Sequence, residues 1–298
     1  MKTLLITGGS GFIGSVLIKK LRRLSGEYKI ASLCSKEIEG VTSINHNNYT
    51  FNKNDFKKMG ILQIDTLIHL GAFTPKSSEQ ANDISSCHLN IFNTIYLLEN
   101  LPSIPKKIIY ASTVDVYGLA DYIEEDTITQ PISLYGWSKL YCEKIIECFC
   151  IEKNIQAQIL RIGHIYGRGE GEYQKVIPNT IKLCLANNSP SIYTDGKELR
   201  AYLHIDDCVQ AIINAIDLST NTGIINIVSD NSTSVLSVVN QIKNLINPSI
   251  KIEILNKSKS ARSLTFNATK MRQHLWCPVI PFERGIEDEI NYFRSLNE

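Results

Sequence analysis

The sequence predicts an α/β fold: a doubly wound parallel sheet with a smaller C-terminal part attached to it. Three observations carry the prediction. Leu4-Leu5-Ile6 is a short, continuously apolar run that meets a cluster of glycines and then the amphipathic segment Ser15–Leu24. Apolar runs of strand length then alternate with segments of helical period, as expected when helices cover both faces of a parallel sheet. After Gly167 the alternation loosens. Residues 1–167 therefore read as the main sheet domain, and residues 168–298 as a smaller region whose segments return to that sheet.

The first run has the character of a strand buried on both faces. It leads into Thr7-Gly8-Gly9-Ser10-Gly11-Phe12-Ile13-Gly14. Strand, glycine turn and helix in this order form the context of a dinucleotide site. Gly8 allows the tight turn, Gly11 lets the backbone approach a pyrophosphate, and Gly14 lets the helix pack on the sheet. The helix N-terminus adds amide donors and positive dipole. Residues 1–167 thus read as a Rossmann domain that binds a dinucleotide. Its further strands are expected at Ile30–Leu33, Thr66–Leu70, Lys107–Ala111 and Gln158–Ile162, and its helices at Asp83–Leu101 and Leu134–Asn154. Beyond residue 167 the helical segments are Lys175–Asn187, Asp207–Leu218 and Ser234–Ile246. Short strands fall near Ile192–Tyr193, Ile224–Val228 and Lys251–Leu255.

Composition narrows the function. Hydrophobic residues make up 43% of the 298, and Lys+Arg 31 against Asp+Glu 30 leaves a net charge of +1. Such a balance gives no long-range field for nucleic acid or an acidic membrane surface. The eight cysteines include no Cys-x-x-Cys, so disulfide and zinc readings lack spacing support and no metal is expected. Residues 1–7 are too short for a signal peptide, and no apolar run approaches the ~20 residues that span a bilayer. A cytoplasmic protein is expected.

The second informative stretch is Tyr135-Gly136-Trp137-Ser138-Lys139. On a helix, positions i and i+4 share a face, so phenol and ammonium can enter one cleft. A free phenol titrates near pH ~10, and a neighbouring ammonium is expected to lower that value. The pair suits proton exchange with an alcohol or sugar hydroxyl. A third stretch, Ser112-Thr113-Val114-Asp115-Val116-Tyr117-Gly118, follows the strand Lys107–Ala111. Ligands of an open parallel sheet sit beyond the carboxyl ends of its strands, which puts Thr113 on the same edge as the glycine turn.

Together, Gly8-x-x-Gly11-x-x-Gly14, Ser112-Thr113-x-x-Val116-Tyr117-Gly118 and Tyr135-x-x-x-Lys139 resemble the extended short-chain dehydrogenase/reductase family, the branch that acts on nucleotide sugars. Further matches are Ile68–Ala72, Asn90–Thr94, Leu160–Gly167, Tyr193–Gly196 and Arg200–Asp207. The resemblance implies Tyr135 as acid/base and Thr113 as partner of the reacting sugar oxygen. Lys139 would orient the nicotinamide ribose. Cofactor contacts are expected at Gly8, Gly11, Phe12, Ile13, Gly14, Leu70, Gly71, Ala72, Asn90, Ser112, Tyr135, Lys139 and Ile162. The substrate, a nucleotide-diphosphate sugar, is expected at Thr113, His164, Lys175, Val176, Tyr193 and Arg200. A homodimer through Asp83–Leu101 and Leu134–Asn154 is also implied, with Leu89, Phe92, Tyr96, Ile145 and Phe149 as candidate apolar contacts.

Three departures refine the expectation. Sugar dehydratases of the family carry an Asp-Glu pair after the threonine, where this chain has Val114 and Asp115. Valine transfers no proton, which argues against dehydration. His164 stands in the place of the family's asparagine. The acid expected ~20 residues past the glycine turn, which binds the adenosine ribose, is absent: Cys34 takes its place, followed by Ser35 and Lys36. Ser35 and Lys36 are therefore expected to receive a 2′-phosphate, so NADP(H) is favoured, with NAD(H) as the alternative. The leading expectation is reduction of a 4-keto sugar nucleotide. The alternatives are a 4-epimerase with tightly bound NAD and a non-catalytic dinucleotide sensor.

Overall fold

Alternating strand and helix segments run through the whole chain of this computed structural model, which describes residues 1–24, 26–46, 49–255 and 262–296. β1 (Lys2–Thr7) passes through the glycine turn into α1 (Phe12–Arg23), and β2 (Tyr28–Cys34) follows. β3 (Thr42–Asn45), α2 (Lys53–Lys58), β4 (Thr66–His69), α3 (Ile84–Asn100) and β5 (Lys107–Thr113) continue the alternation. Next come β6 (Tyr122–Ile123), α4 (Leu134–Lys153), β7 (Gln156–Ile162), β8 (His164–Tyr166) and α5 (Val176–Leu185). The second half adds β9 (Ser191–Ile192), β10 (Leu199–His204), α6 (Ile205–Asp217), β11 (Ile224–Ile227) and β12 (Ser232–Ser234). It ends with α7 (Val235–Ile246), β13 (Glu253–Ile254), β14 (Thr265–Phe266), α8 (Thr269–His274) and α9 (Phe282–Ser295).

Among the described residues the large sheet has seven strands in the order β11-β7-β5-β4-β1-β2-β3, and every pairing is parallel. The chain builds outward from β1 to β3, then returns to β4 on the other side of β1. At such a reversal a crevice opens beyond the carboxyl ends of the strands.

Side chains alternate faces along a strand, and the core divides accordingly. Leu4 and Ile6 join Leu17, Leu21 and Ile212 on the face covered by α1 and α6. Leu5 joins Leu97, Ile108 and Ile146 on the face covered by α3 and α4. A smaller cluster packs α5, α7 and α9 through Ile181, Ile242 and Ile290.

The second half is not set apart from the first. β11 forms one edge of the large sheet against β7. The buried Lys107 ammonium donates to the carbonyls of Ala215 at 3.0 Å, Ile216 at 3.2 Å and Leu218, at the end of α6. A cation there also meets the negative end of the helix dipole.

Several elements differ from expectation. β3 holds one buried apolar residue, Ile44, too few to mark a strand by pattern. α2 is six residues long and is started by an Asn52–Asp55 capping box. Arg200–His204, where no strand was expected, belongs to β10, which pairs with β8 and β12. All eight cysteines are free, and six of them are buried. Among the described residues no helix is long and apolar enough to cross a membrane.

Candidate functional site

A cleft of about 860 Å³ lies over the carboxyl ends of β1, β2, β4, β5 and β7. One end is floored by the glycine turn. Gly8 has φ +70, and a side chain there would drive a Cβ to 2.7 Å from the Gly71 amide nitrogen. A Cβ on Gly14 would come within 2.2 Å of the Gly8 carbonyl oxygen. No side chain caps α1 at Gly11, so its first amides remain available to an anion. An uncapped helix end beside a glycine turn that admits no side chain fits the pyrophosphate of a dinucleotide. Gly8, Gly11, Phe12, Ile13, Gly14, Leu70, Gly71, Ala72, Ser112, Tyr135, Lys139 and Ile162 all line the cleft. The expected cofactor residues Asn90 and Lys36 do not.

Asn90 is occupied elsewhere. Its side-chain oxygen accepts from the Phe73 amide at 2.7 Å, and its nitrogen donates to the Phe73 carbonyl and to Ser138 Oγ. It thereby ties the loop after β4 to α4. Lys36 is exposed. Lys76, through a hydrogen bond and its charge, and secondarily the Lys36 charge, hold the Glu172 carboxyl below its ordinary range. Ser35 lines the cleft beside Cys34.

At the other end, Ser133 caps α4 by accepting from the Gly136 amide at 3.1 Å, which aims Tyr135 and Lys139 into the cleft. Thr113, at the end of β5, donates from Oγ1 to Asp115 Oδ2 at 3.3 Å and accepts from the Asp115 amide at 3.2 Å. The Tyr135 phenol bonds with Thr74 and Thr113. The Lys139 ammonium stands 4.3 Å above the Tyr110 ring, and burial lowers its pKa to about 8. The expected lowering of the Tyr135 pKa is not found. Burial, and then the Asp115 charge, push the phenol above its ordinary value, and the threonine hydrogen bonds offset this only in part. The phenol is enclosed beside a carboxylate, while the ammonium is held over Tyr110.

Beneath this end lies a buried polar network. Ser112 Oγ donates to Glu143 Oε1 at 2.5 Å, and Glu143 pairs with Arg161 through two hydrogen bonds of 3.0 and 2.8 Å. Arg161 stacks on Tyr117 at 4.7 Å, whose hydroxyl donates to Asn226 Oδ1 at 2.7 Å. The expected cofactor residue Ser112 is thus turned towards Glu143.

The substrate candidates divide. His164, Lys175, Val176 and Arg200 line the cleft. Tyr193, just past the end of β9, is 62% exposed and lies outside the lining. Tyr202 lines the cleft instead and meets His164 edge-on at 6.1 Å. Burial, followed by the charges of Arg200, Lys175 and Arg262, pushes the His164 pKa down to about 3. The imidazole is therefore neutral, and its buried Nδ1 has no partner among the described residues. Arg200 donates to the Arg262 carbonyl at 2.6 Å, and Arg262 to the Gly118 carbonyl.

Residues 167–175 cross above the glycine turn. Tyr173 lies 6.1 Å from the Phe12 ring, Glu172 pairs with Lys76 at 3.0 Å, and the Gln174 amide donates to the Lys76 carbonyl at 3.3 Å. Lys175 packs 4.6 Å over Tyr173 and lies 3.4 Å from Glu170.

Sequence reasoning missed His46, Tyr49, Asn93, Glu170, Tyr173 and Tyr202, all on the cleft wall. It noted Asp115 without giving it a place in the site. Most of these stand in loops or short strands without a periodic signal. Tyr202, next to the matched Arg200 and alternating with it along a strand, carried the clearest available hint.

The parallel sheet, the glycine cradle and the Thr113–Tyr135–Lys139 edge define an extended short-chain dehydrogenase/reductase. The sequence model of the NAD dependent epimerase/dehydratase family matches residues 4–227, and the chain belongs to that family. It is 29% identical over 325 aligned positions to the UDP-N-acetyl-alpha-D-glucosaminuronate decarboxylase of Bacillus cytotoxicus, covering 99% of this chain and 98% of the relative. It is 28% identical over 315 positions to a putative UDP-glucose 4-epimerase of Methanocaldococcus jannaschii, covering 99% of each. Among solved structures, the UDP-glucose 4-epimerase of Thermotoga maritima with UDP-glucose superposes with a TM-score of 0.86 at 24% identity, over 99% of this chain and 100% of the other. The UDP-glucuronic acid 4-epimerase of Bacillus cereus, with UDP-glucuronic acid and NAD, gives 0.86 at 23% identity over 99% of both chains. At these identities the structural likenesses speak for the fold.

Proposed function

We propose that the protein oxidises the 4-hydroxyl of a nucleotide-diphosphate sugar and returns the hydride to the 4-keto intermediate, giving the C4 epimer with a retained NAD. The observation that carries this reading is the roof over the cleft. A dinucleotide that reached from Gly11 to Lys139 would pass residues 170–175, which line the same cleft and contact Phe12 and Lys76. Exchange in every cycle requires that roof to part, which an epimerase avoids. The putative UDP-glucose 4-epimerase among the relatives is in keeping with this reading.

Arg200 supplies a forked cation for the substrate diphosphate, with neutral His164 beside it. Thr113 holds the sugar 4-oxygen next to Tyr135. Bound NAD supplies the hydride acceptor and donor. Tyr135 passes the proton: as a phenol it protonates the 4-keto oxygen, and as a phenolate it takes the proton of the 4-hydroxyl. Lys139, on the same helix face and lining the same cleft, would orient the nicotinamide ribose. Val114 offers no proton for dehydration.

A second reading is a 4-ketoreductase that consumes NADPH. Two observations favour it. Tyr135 rests as a phenol, the form that reduction needs, and no carboxylate stands at Cys34–Ser35 to repel a 2′-phosphate. With Lys36 outside the lining, Ser35 is what remains of the expected phosphate contact.

The test needs no added cofactor at first. Protein denatured after purification is assayed for released NAD(H), and intact protein is incubated with UDP-glucose and UDP-glucuronic acid. A C4 epimer formed without added dinucleotide supports the proposal. Oxidation of NADPH by a 4-keto sugar nucleotide without epimer overturns it in favour of the reductase. Dinucleotide binding with no turnover of any nucleotide sugar points to a sensor.

A further inference from the structure

We propose that His46 hydrogen-bonds the adenosine ribose of the dinucleotide, in place of the carboxylate that usually follows the second strand. The inference rests on the dinucleotide reading above. In such folds the pyrophosphate sits at the glycine turn and the ribose at the end of the neighbouring strand, here β2. Among the described residues of the cleft wall the carboxylates are Asp115 and Glu170. Asp115 bonds Thr113 and Glu170 pairs with Lys175, so both carboxylates already have partners other than the β2 end.

The β2 end is closed instead by Cys34, Ser35, His46 and Tyr49. β3 pairs in register with β2 up to Cys34–Asn45, and the His46 amide then donates to the Cys34 carbonyl at 3.1 Å. This sets His46 directly beside the position where the acid is missing.

The ring is fixed in orientation. Its Nδ1 accepts from the Tyr49 amide at 3.2 Å, so in the neutral imidazole Nε2 carries the proton. Tyr49 stands at φ 58, a left-handed conformation rare for an aromatic residue, and that turn brings its amide back onto the imidazole. Tyr49 and Phe51 pack on the ring at 4.8 and 6.3 Å, and the Tyr96 hydroxyl holds the Phe51 carbonyl at 2.6 Å. Burial lowers the His46 pKa, which keeps the donor neutral at pH 7. A carboxylate accepts from ribose hydroxyls and repels a 2′-phosphate. A neutral N–H donates to either oxygen, so this pocket takes NAD and NADP alike.

Calorimetric titration of protein first stripped of any retained dinucleotide, with NAD⁺, NADP⁺, ADP-ribose and nicotinamide mononucleotide, tests the assignment. Wild-type affinities for NAD⁺ and NADP⁺ are expected within about tenfold of each other. His46→Ala should weaken NAD⁺ and ADP-ribose by about tenfold, the scale of one lost hydrogen bond, and leave the mononucleotide unchanged. His46→Gln, which keeps an N–H at similar reach, should restore most of the loss. His46→Asp should discriminate against NADP⁺. Unchanged ADP-ribose affinity in His46→Ala, or equal losses in the Ala and Gln variants, overturns the role of His46 and leaves the dinucleotide reading standing. Wild-type protein that binds none of the four ligands overturns the dinucleotide reading, and this inference with it.

Discussion

Glu143 and Arg161 face each other inside the molecule with 0% and 3% of their side chains exposed, joined at 2.8 Å. Glu143 comes from α4, which carries Tyr135 and Lys139, and Arg161 from β7, next to the strand that carries Thr113. The pair therefore sets the helix against the sheet edge where the three site residues meet. Removing one member strands a buried charge, which costs about 3–5 kcal/mol. Glu143→Leu or Arg161→Met should lower the urea midpoint accordingly, whereas the two changes together should cost less than the sum. Additive losses would show that the two charges do not act as a unit.

Tyr135→Phe keeps the ring and removes the proton. Turnover should fall at least about 10²-fold, the usual scale of general acid–base catalysis, with dinucleotide binding nearly unchanged. Near-normal turnover would reduce Tyr135 to a structural aromatic.

Glu289, on α9, is fully buried. Burial, and then the Glu170 charge, push its pKa up to about 10, with Lys175 opposing and Tyr166 also nearby. A carboxyl raised on folding binds more protons folded than unfolded, so stability falls as pH rises from its unfolded value towards 10. Glu289→Gln mimics the protonated form and removes that loss. Its urea midpoint should exceed wild type at pH 8.5, with the gap closing near pH 5. A gap independent of pH would contradict the assignment.

The outer faces of α3 and α4 expose Leu89, Phe92, Ile95, Trp137 and Tyr141, and Ile95 and Tyr141 also line a groove of about 690 Å³. Of the residues expected to pair two copies, Tyr96 instead turns inward to Phe51. A dimer through this surface should sediment as such at micromolar concentration, and Phe92→Glu with Tyr141→Glu should yield monomers. Wild-type protein that sediments only as a monomer would refute the dimer.

The large sheet was legible where strands were apolar on both faces, as at Leu4–Ile6, and where glycines admit no side chain. The Tyr135–Lys139 spacing likewise needed only a helix to become geometry. What the pattern could not carry was direction and enclosure. Asn90 matched a motif yet points into the loop after β4, and Lys36 follows the right strand but lies outside the cleft. The sign of the Tyr135 shift depended on Asp115 and burial, both set by tertiary packing. His46 sits at the end of a strand with one buried apolar residue, where periodicity has nothing to report.

The edge strand β11 has a consequence for how the protein comes into being. A ribosome releases the glycine turn, Thr113 and the Tyr135–Lys139 helix long before residues 224–227 emerge to cover β7. Until then β7 offers an unpaired edge, an invitation to pairing with other chains, and Lys107 lacks the carbonyls of residues 215, 216 and 218. The nascent cofactor half thus waits, open at one side, for the remainder of its own chain. A fragment ending at residue 167 should accordingly aggregate, whereas in one extended through α6 and β11 the β7 edge is paired.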